Sequence, residues 1–127
     1  MVKIQRLDHL VLRVADPAAT CRFYTRVLGM REVTFGRGRK ALHFGNQKIN
    51  LHGPDDDHEL VAQRPEVGSG DLCFLLEDSL ERAILHLQGL GVPILAGPVE
   101  RTGAGGPIRS IYLRDPDGNL LELSRPL

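Results

Sequence analysis

Glu122 stands in the middle of "LLELS" (120–124), an otherwise apolar run. A carboxylate is costly to bury unless it is paired or bound to a metal, and on an open face it is simply solvated. Four further polar donors sit inside strand-like apolar runs: His9 in "LDHLVLRV" (7–14), Asn50 and His52 in "KINLH" (48–52), and Asp71 in "GDLCFLLE" (70–77). Successive side chains of a strand alternate between faces. His9 therefore shares a face with Leu7 and Val11, opposite Leu10, Leu12 and Val14. Asn50 and His52 oppose Ile49 and Leu51, Asp71 opposes Leu72, Phe74 and Leu76, and Glu122 opposes Leu121 and Leu123. If the aliphatic sets pack beneath helices, one leftover surface collects His9, Asn50, His52, Asp71 and Glu122. Imidazole with carboxylates suits Mn, Fe, Ni, Co or Zn as divalent ions, with positions left open for substrate.

The elements that must position these groups follow from periodicity and turn chemistry. Asp16-Pro17 after the first strand reads as N-cap and first helical residue. Ala18, Phe23, Val27 and Leu28 are expected to form that helix's apolar stripe, and Gly29 to end it. Strands follow at about 31–36, 40–45 and 47–52, joined by "GRGR" and "GNQ". Residues 54–68 are polar, carry two prolines and read as a linker.

The order then restarts. A strand at 70–77 leads to a helix capped by Ser79, with Leu80, Ala83, Ile84, Leu87 and Leu90 on one face and Gly91 after its end. Strands near 92–95, 108–114 and 119–124 complete the set, with Asp115-Pro116-Asp117-Gly118-Asn119 as a tight turn. The same offset of 62 residues separates His9 from Asp71 and Gly29 from Gly91, and it grows to 72 by Asn50 and Glu122. The expected fold is α+β: two tandem βαβββ modules, about 5–53 and 69–125, forming a single domain over 1–127, with sheets shaping a cleft and helices on the outer face. The extra length lies in "GPVERTGAGGPIR" (97–109). Its four glycines (97, 103, 105 and 106), with Arg101 and Arg109, suggest a substrate-gating segment.

Bulk properties narrow the function. The 127 residues carry sixteen basic and sixteen acidic side chains, so no net field favours nucleic acid or an anionic membrane. No apolar run approaches the roughly 20 residues of a transmembrane helix, and the N-terminus has no signal-peptide core. Cys21 and Cys73 lack a CxxC spacing and read as buried reduced thiols of a cytoplasmic protein. His58, in "DDDHE", reads as part of a solvated acidic turn, His86 as a helix residue facing water, and the facing of His43 stays open. No Ser-His-Asp arrangement and no glycine-rich phosphate loop between strand and helix is present.

"LDHLVLRVADPAATCRFYTRVLGM" is similar to the first module, and "SIYLRDPDGNLLELS" to the last hairpin, of the vicinal oxygen chelate superfamily, which groups glyoxalase I, bleomycin-resistance proteins and extradiol dioxygenases. More narrowly, "RKALHFGNQKINLH", "SGDLCFL" and "GPVERTGAGGPIRSIY" resemble the glyoxalase domain-containing protein 5 subgroup, which includes related bacterial virulence-associated proteins. The resemblance implies His9 as first-strand and Glu122 as last-strand metal ligand. Asp71 takes a position where many members carry His, and Asn50 one where glyoxalase I carries Glu. The implied ligand set is His9, Asp71 and Glu122, with His52 as a candidate fourth.

The resemblance further implies a divalent-metal-dependent lyase or isomerase acting on a small anionic substrate with neighbouring oxygens, Glu122 serving as base. Asn50, Arg39, Arg101 and Arg109 are the expected substrate contacts, and a homodimer the expected assembly. Two other classes share the family: Fe(II)-dependent extradiol dioxygenases, and non-catalytic proteins that sequester a small molecule. Because ligands must be deprotonated, metal affinity is expected to fall below about pH 6.

Overall fold

The computed structural model describes residues 1–127, which divide into two compact units, Met1–Gly68 and Ser69–Leu127. In the first unit the order is β1 (His9–Arg13), α1 (Pro17–Arg26), β2 (Arg31–Phe35), β3 (Arg39–Phe44) and β4 (Gln47–His52). The sheet runs β1-β4-β3-β2, with β1 parallel to β4 and the other pairs antiparallel. Asp16 caps α1, its Oδ1 accepting from the amides of Ala18 (3.0 Å) and Ala19 (3.2 Å), two of the donors a helix start leaves without partners.

The buried side of α1 is Thr20, Cys21, Tyr24 and Val27, steps of three and four along one helical face. This corrects the expected stripe: Ala18 is exposed, and Phe23 and Leu28 are only half-buried. Tyr24 supplies apolar surface that a count of aliphatic residues overlooks. With Leu12, Val14, Leu42, Ile49 and Leu51 it is among the unit's nearly inaccessible side chains. Truncating a side chain as fully enclosed as Ile49 to Ala costs about 2–5 kcal/mol.

The second unit repeats the plan: β5 (Asp71–Leu75), α2 (Leu80–Gly89), β6 (Ala96–Gly103), β7 (Gly106–Arg114) and β8 (Leu120–Pro126), in the order β5-β8-β7-β6. Ser79 Oγ accepts from the Arg82 amide at 3.2 Å and starts α2. Leu80, Leu87, Ile111, Leu113, Leu121 and Leu123 form its core. Both units are therefore βαβββ, and the fold is mixed α+β, as the pattern predicts. No helix is long and apolar enough to cross a membrane.

A second expectation fails. Residues 92–95 are not a strand, and 97–109 are not a loose connection. Val92 N instead donates to Leu87 O (2.9 Å) as the chain leaves α2, and Leu95 N donates to Tyr112 O (2.8 Å). Strand β6 then pairs with β7 from Val99↔Ser110 to Gly103↔Gly106. Two of the glycines, Gly97 and Gly103, serve close approach, whereas nothing crowds Gly105 or Gly106. Gly97 lies at a register shift with φ 100°, and a Cβ there would collide with the Ser110 carbonyl oxygen. The bulge is what lets β6 lie against β7 at this point.

The Asp115–Asn119 turn is a buried polar knot. Asp115 accepts from Asp117 N (2.9 Å), Asn119 N (3.0 Å) and Asn119 Nδ2 (2.8 Å). Asn119 Oδ1 in turn accepts from Gly70 N at 2.7 Å, which ties the start of β5 to the turn. Asp71 owes its place on the sheet to that tether.

Candidate metal and anion sites on the open sheet faces

In each unit one sheet face carries the aliphatic core; the opposite face, called open below, mixes exposed side chains with buried small ones such as Ala41, Ser110 and Ser124. Cross-strand register lays out the open face of the first unit as three rows. His9, Lys48, His43 and Arg31 form one; Val11, Asn50, Ala41 and Val33 the next; Arg13 and His52 the third, with Arg39 adjoining one step beyond Lys40↔Leu51. The second unit's rows are Asp71, Leu120 and Arg114; Cys73, Glu122 and Tyr112; and Leu75, Ser124, Ser110 and Val99. His9, Asn50, His52, Asp71 and Glu122 thus all lie on open faces, as strand parity predicts.

His9 is exposed, and its Nδ1 lies 2.9 Å from Asp8 Oδ2. With the proton on Nδ1, the ring donates to Asp8 and keeps a lone pair on Nε2. A carboxylate on the second nitrogen is the usual way a metal-binding histidine is oriented. That hydrogen bond is also the main reason the Asp8 carboxyl is held below its ordinary range.

Glu122 is half-buried, and both of its hydroxyl contacts fall on one oxygen: Ser110 Oγ donates to Oε2 at 2.6 Å, and Ser124 Oγ lies 3.5 Å away. Ser110 and Ser124 are fully buried and 2.6 Å apart. Cys73, the register partner of Glu122, lies with its Sγ 3.4 Å from Ser124 Oγ. A carboxylate within an apolar strand is thereby stabilised by charge-assisted bonds, each worth about 1.5–3 kcal/mol.

Asp71 is exposed, on the same face as Glu122 but one row along, opposite Leu120. Within neither unit do three His, Cys, Asp or Glu side chains gather into a metal-holding group. By donor type, the imidazole of His9 in the first unit and the carboxylates of Asp71 and Glu122 in the second are each of a kind that suits a divalent ion.

His52 meets a second ring. Its ring stacks on His58, with centroids 3.8 Å apart and planes 10° from parallel. Burial, then the charges of His58 and Arg13, push its pKa down, with Arg39 adding and Asp56 opposing. His58, expected in a solvated acidic turn, is this half-buried stacking partner instead.

The arginines divide. Arg101 lies on the open face, its Nε donating to Tyr112 Oη at 3.0 Å. Arg109 alternates to the other side, between Glu100 and Arg125 in register. There it borders a cavity of about 240 Å³ shared with Ser79, Leu80 and Glu81. It cannot share a substrate with Glu122 across its own strand. Cys21 is buried as expected, its thiol pushed up to about 12 by burial and Glu32, but Cys73 is exposed. Position 73 is odd-numbered like Asp71, so the parity rule already assigns it to the open face. The same rule could have found Ser110, Ser124 and Arg13; the stacking of His58 had no signal.

The model of the Glyoxalase/Bleomycin resistance protein/Dioxygenase superfamily matches residues 6–123. The chain belongs to that superfamily. Among superfamily relatives, it is 55% identical over 123 residues to the glyoxalase domain-containing protein RDO1 of Mycosarcoma maydis, covering 97% of this chain and 69% of that protein. It is 53% identical over 122 residues to virulence protein STM3117 of Salmonella typhimurium, covering 96% and 85%. The crystal structure of STM3117 matches with a TM-score of 0.97 over 99% of this chain and 100% of that one. Lactoylglutathione lyase of Pseudomonas aeruginosa is 29% identical over 146 residues, covering 91% and 80%. In this glyoxalase-superfamily chain, then, His9 and Glu122 stand on the first strand of one unit and the last strand of the other.

Proposed function

We propose that this protein is a divalent-metal-dependent lyase or isomerase of the glyoxalase kind, acting on a small anionic substrate with two neighbouring oxygens. The observation that carries the reading is the setting of Glu122: an open-face carboxylate in an apolar strand, with both hydroxyl contacts, from Ser110 and Ser124, on the same oxygen. His9, oriented by Asp8, and Asp71 complete the proposed ligand set, one imidazole and two carboxylates that balance a divalent charge. A divalent ion bound there would stabilise negative charge as it develops on the substrate oxygens.

The chain's own residues supply the rest. Glu122 would be the proton acceptor when it is not lent to the ion, and Ser110 steers which of its oxygens is available. Asn50, whose buried Oδ1 has no partner, orients the substrate, and Arg39 and Arg101 attract its negative charge. We read the assembly as a homodimer, since each sheet leaves two edge strands, β1 and β2 or β5 and β6, unpaired in a single chain. A light-scattering mass of one chain, 14.0 kDa, at micromolar concentration would overturn that assembly.

The functional reading is tested by metal analysis of wild type, His9→Ala and Glu122→Gln after identical reconstitution and desalting. We expect about one ion per chain in the wild type. Each variant should weaken affinity by more than the roughly 10–100-fold typical of losing an outer-shell partner. Equal occupancy in all three proteins, or no metal in the wild type, would refute it.

A further inference from the structure

The open face of the first sheet carries charge of one sign. Arg13, Arg31, Arg39 and Lys48 stand there with His9, His43 and His52, and no strand position on that face is acidic. The chain as a whole is neutral, so this is segregation rather than excess. Glu32, the only acidic residue in the four strands, points to the other side, where Lys40 pairs with it at 3.2 Å.

The row of Arg13, His52 and Arg39 is the most concentrated part. These residues are neighbours on three adjacent strands, β1, β4 and β3, and His58 stacks on the central ring. Arg13 and Arg39 stand on either side of the strand that carries His52, and the unit's two ion pairs, His9–Asp8 and Lys40–Glu32, neutralise neither arginine. Arg13 Nε is buried with no hydrogen-bond partner, and so is Asn50 Oδ1 in the adjoining row. Buried donors and acceptors are seldom left unpaired. The nearby acid, Asp56, is engaged elsewhere, its Oδ2 accepting from Gly53 N at 2.6 Å.

We infer that Arg13, Arg39 and the stacked His52–His58 pair form an oxyanion site, which takes the carboxylate or phosphonate group of a small organic ligand. Two guanidinium groups flanking an imidazole present planar N–H donors from both sides, the arrangement that suits a multi-oxygen anion. Asn50 Nδ2 and Oδ1 are placed to bind a polar group next to that anion. The site deepens the functional reading above by assigning the substrate's charged end to the first unit. It also reassigns His52 from metal to anion.

The test uses chelator-treated protein, so its outcome is independent of metal binding. Calorimetric titrations with methylphosphonate, acetate and inorganic phosphate, in low-chloride buffer at pH 7, are run on wild type, Arg13→Gln, Arg39→Gln and Arg37→Gln. We expect saturable binding of methylphosphonate or acetate at one per chain, weakened at least tenfold in Arg13→Gln and Arg39→Gln. Arg37, in the β2–β3 turn, should not matter. Arg39 is exposed, so its variant has no packing to lose and keeps the test valid should Arg13→Gln misfold. Binding of phosphate alone would remove the organic ligand from the inference. No saturable binding of any probe, or undiminished binding in Arg39→Gln, would overturn it. Failure here with intact metal binding would leave the proposed function standing without its anion site.

Discussion

The two units place the same lattice of open-face positions and fill it with opposite chemistry. His9 corresponds to Asp71, Val11 to Cys73, Asn50 to Glu122 and Ala41 to Tyr112. Where the first unit has Arg13, His52 and Arg39, the second has Leu75, Ser124 and Ser110. The first row leaves charge without a counter-charge, and the second closes a hydroxyl network around a carboxylate. Identical topology therefore says nothing about what a face binds. At fixed register, different residues at equivalent positions turn a cationic row into a hydroxyl-lined one beside a carboxylate.

The largest contrast expected is between the equivalent turns. Asn119 is 1% exposed and bonded to both Asp115 and Gly70, whereas Asn46, in the corresponding β3–β4 turn, is exposed. Asn119→Ala should lower the unfolding free energy by about 3 kcal/mol, since buried partners are left unsatisfied. Asn46→Ala should stay within about 0.5 kcal/mol. Urea denaturation of the two variants decides this, and equal effects would dissolve the distinction.

A second comparison pits Ser110 against Arg39, which occupy the same place in the lattice. Ser110→Ala should cost about 2 kcal/mol by stripping Glu122 of its donor. Glu122→Gln in the Ser110→Ala background should recover part of that, because an amide needs less support than a carboxylate. Arg39→Ala should be neutral or slightly stabilising without anion, since it relieves like-charge crowding. A destabilising Arg39→Ala would show that the cationic row is structural.

The smallest effect concerns the thiols. Cys73 is exposed but its pKa is raised, first by partial burial, which the Ser124 hydrogen bond opposes, and then by the charge and hydrogen bond of Glu122 and the charge of Asp71. Its thiolate is therefore scarce below the ordinary cysteine pKa of about 8.5 and grows only at higher pH. With a disulfide reagent, one thiol per native chain should react, with a rate midpoint above that value, while Cys21 reacts only after unfolding. Glu122→Gln should move the midpoint down. An unmoved midpoint would uncouple Cys73 from the carboxylate.

Much of this was legible in the residues alone. Alternation along "LDHLVLRV" and "LLELS" placed His9 and Glu122 on open faces because aliphatic burial leaves a strand only one other side. Asp16-Pro17 and Ser79 marked helix starts through local capping, and the constant offset exposed the repeat. What local pattern could not decide was partnership across strands. Whether Glu122 is hydrated or held depends on Ser110, 12 residues away along the chain and adjacent only once β7 and β8 take their register. Arg109 and Arg101 look alike in "VERTGAGGPIR", and the β6–β7 pairing alone sends them to opposite faces. The glycines of that segment read as slack because a sequence shows conformational freedom but not the neighbouring backbone that makes Gly97 necessary. His58 lies in a loop without periodicity, so only the folded chain could bring it onto His52. Local chemistry determined the elements and their faces; register and packing, which are long-range, decided what each polar group meets there.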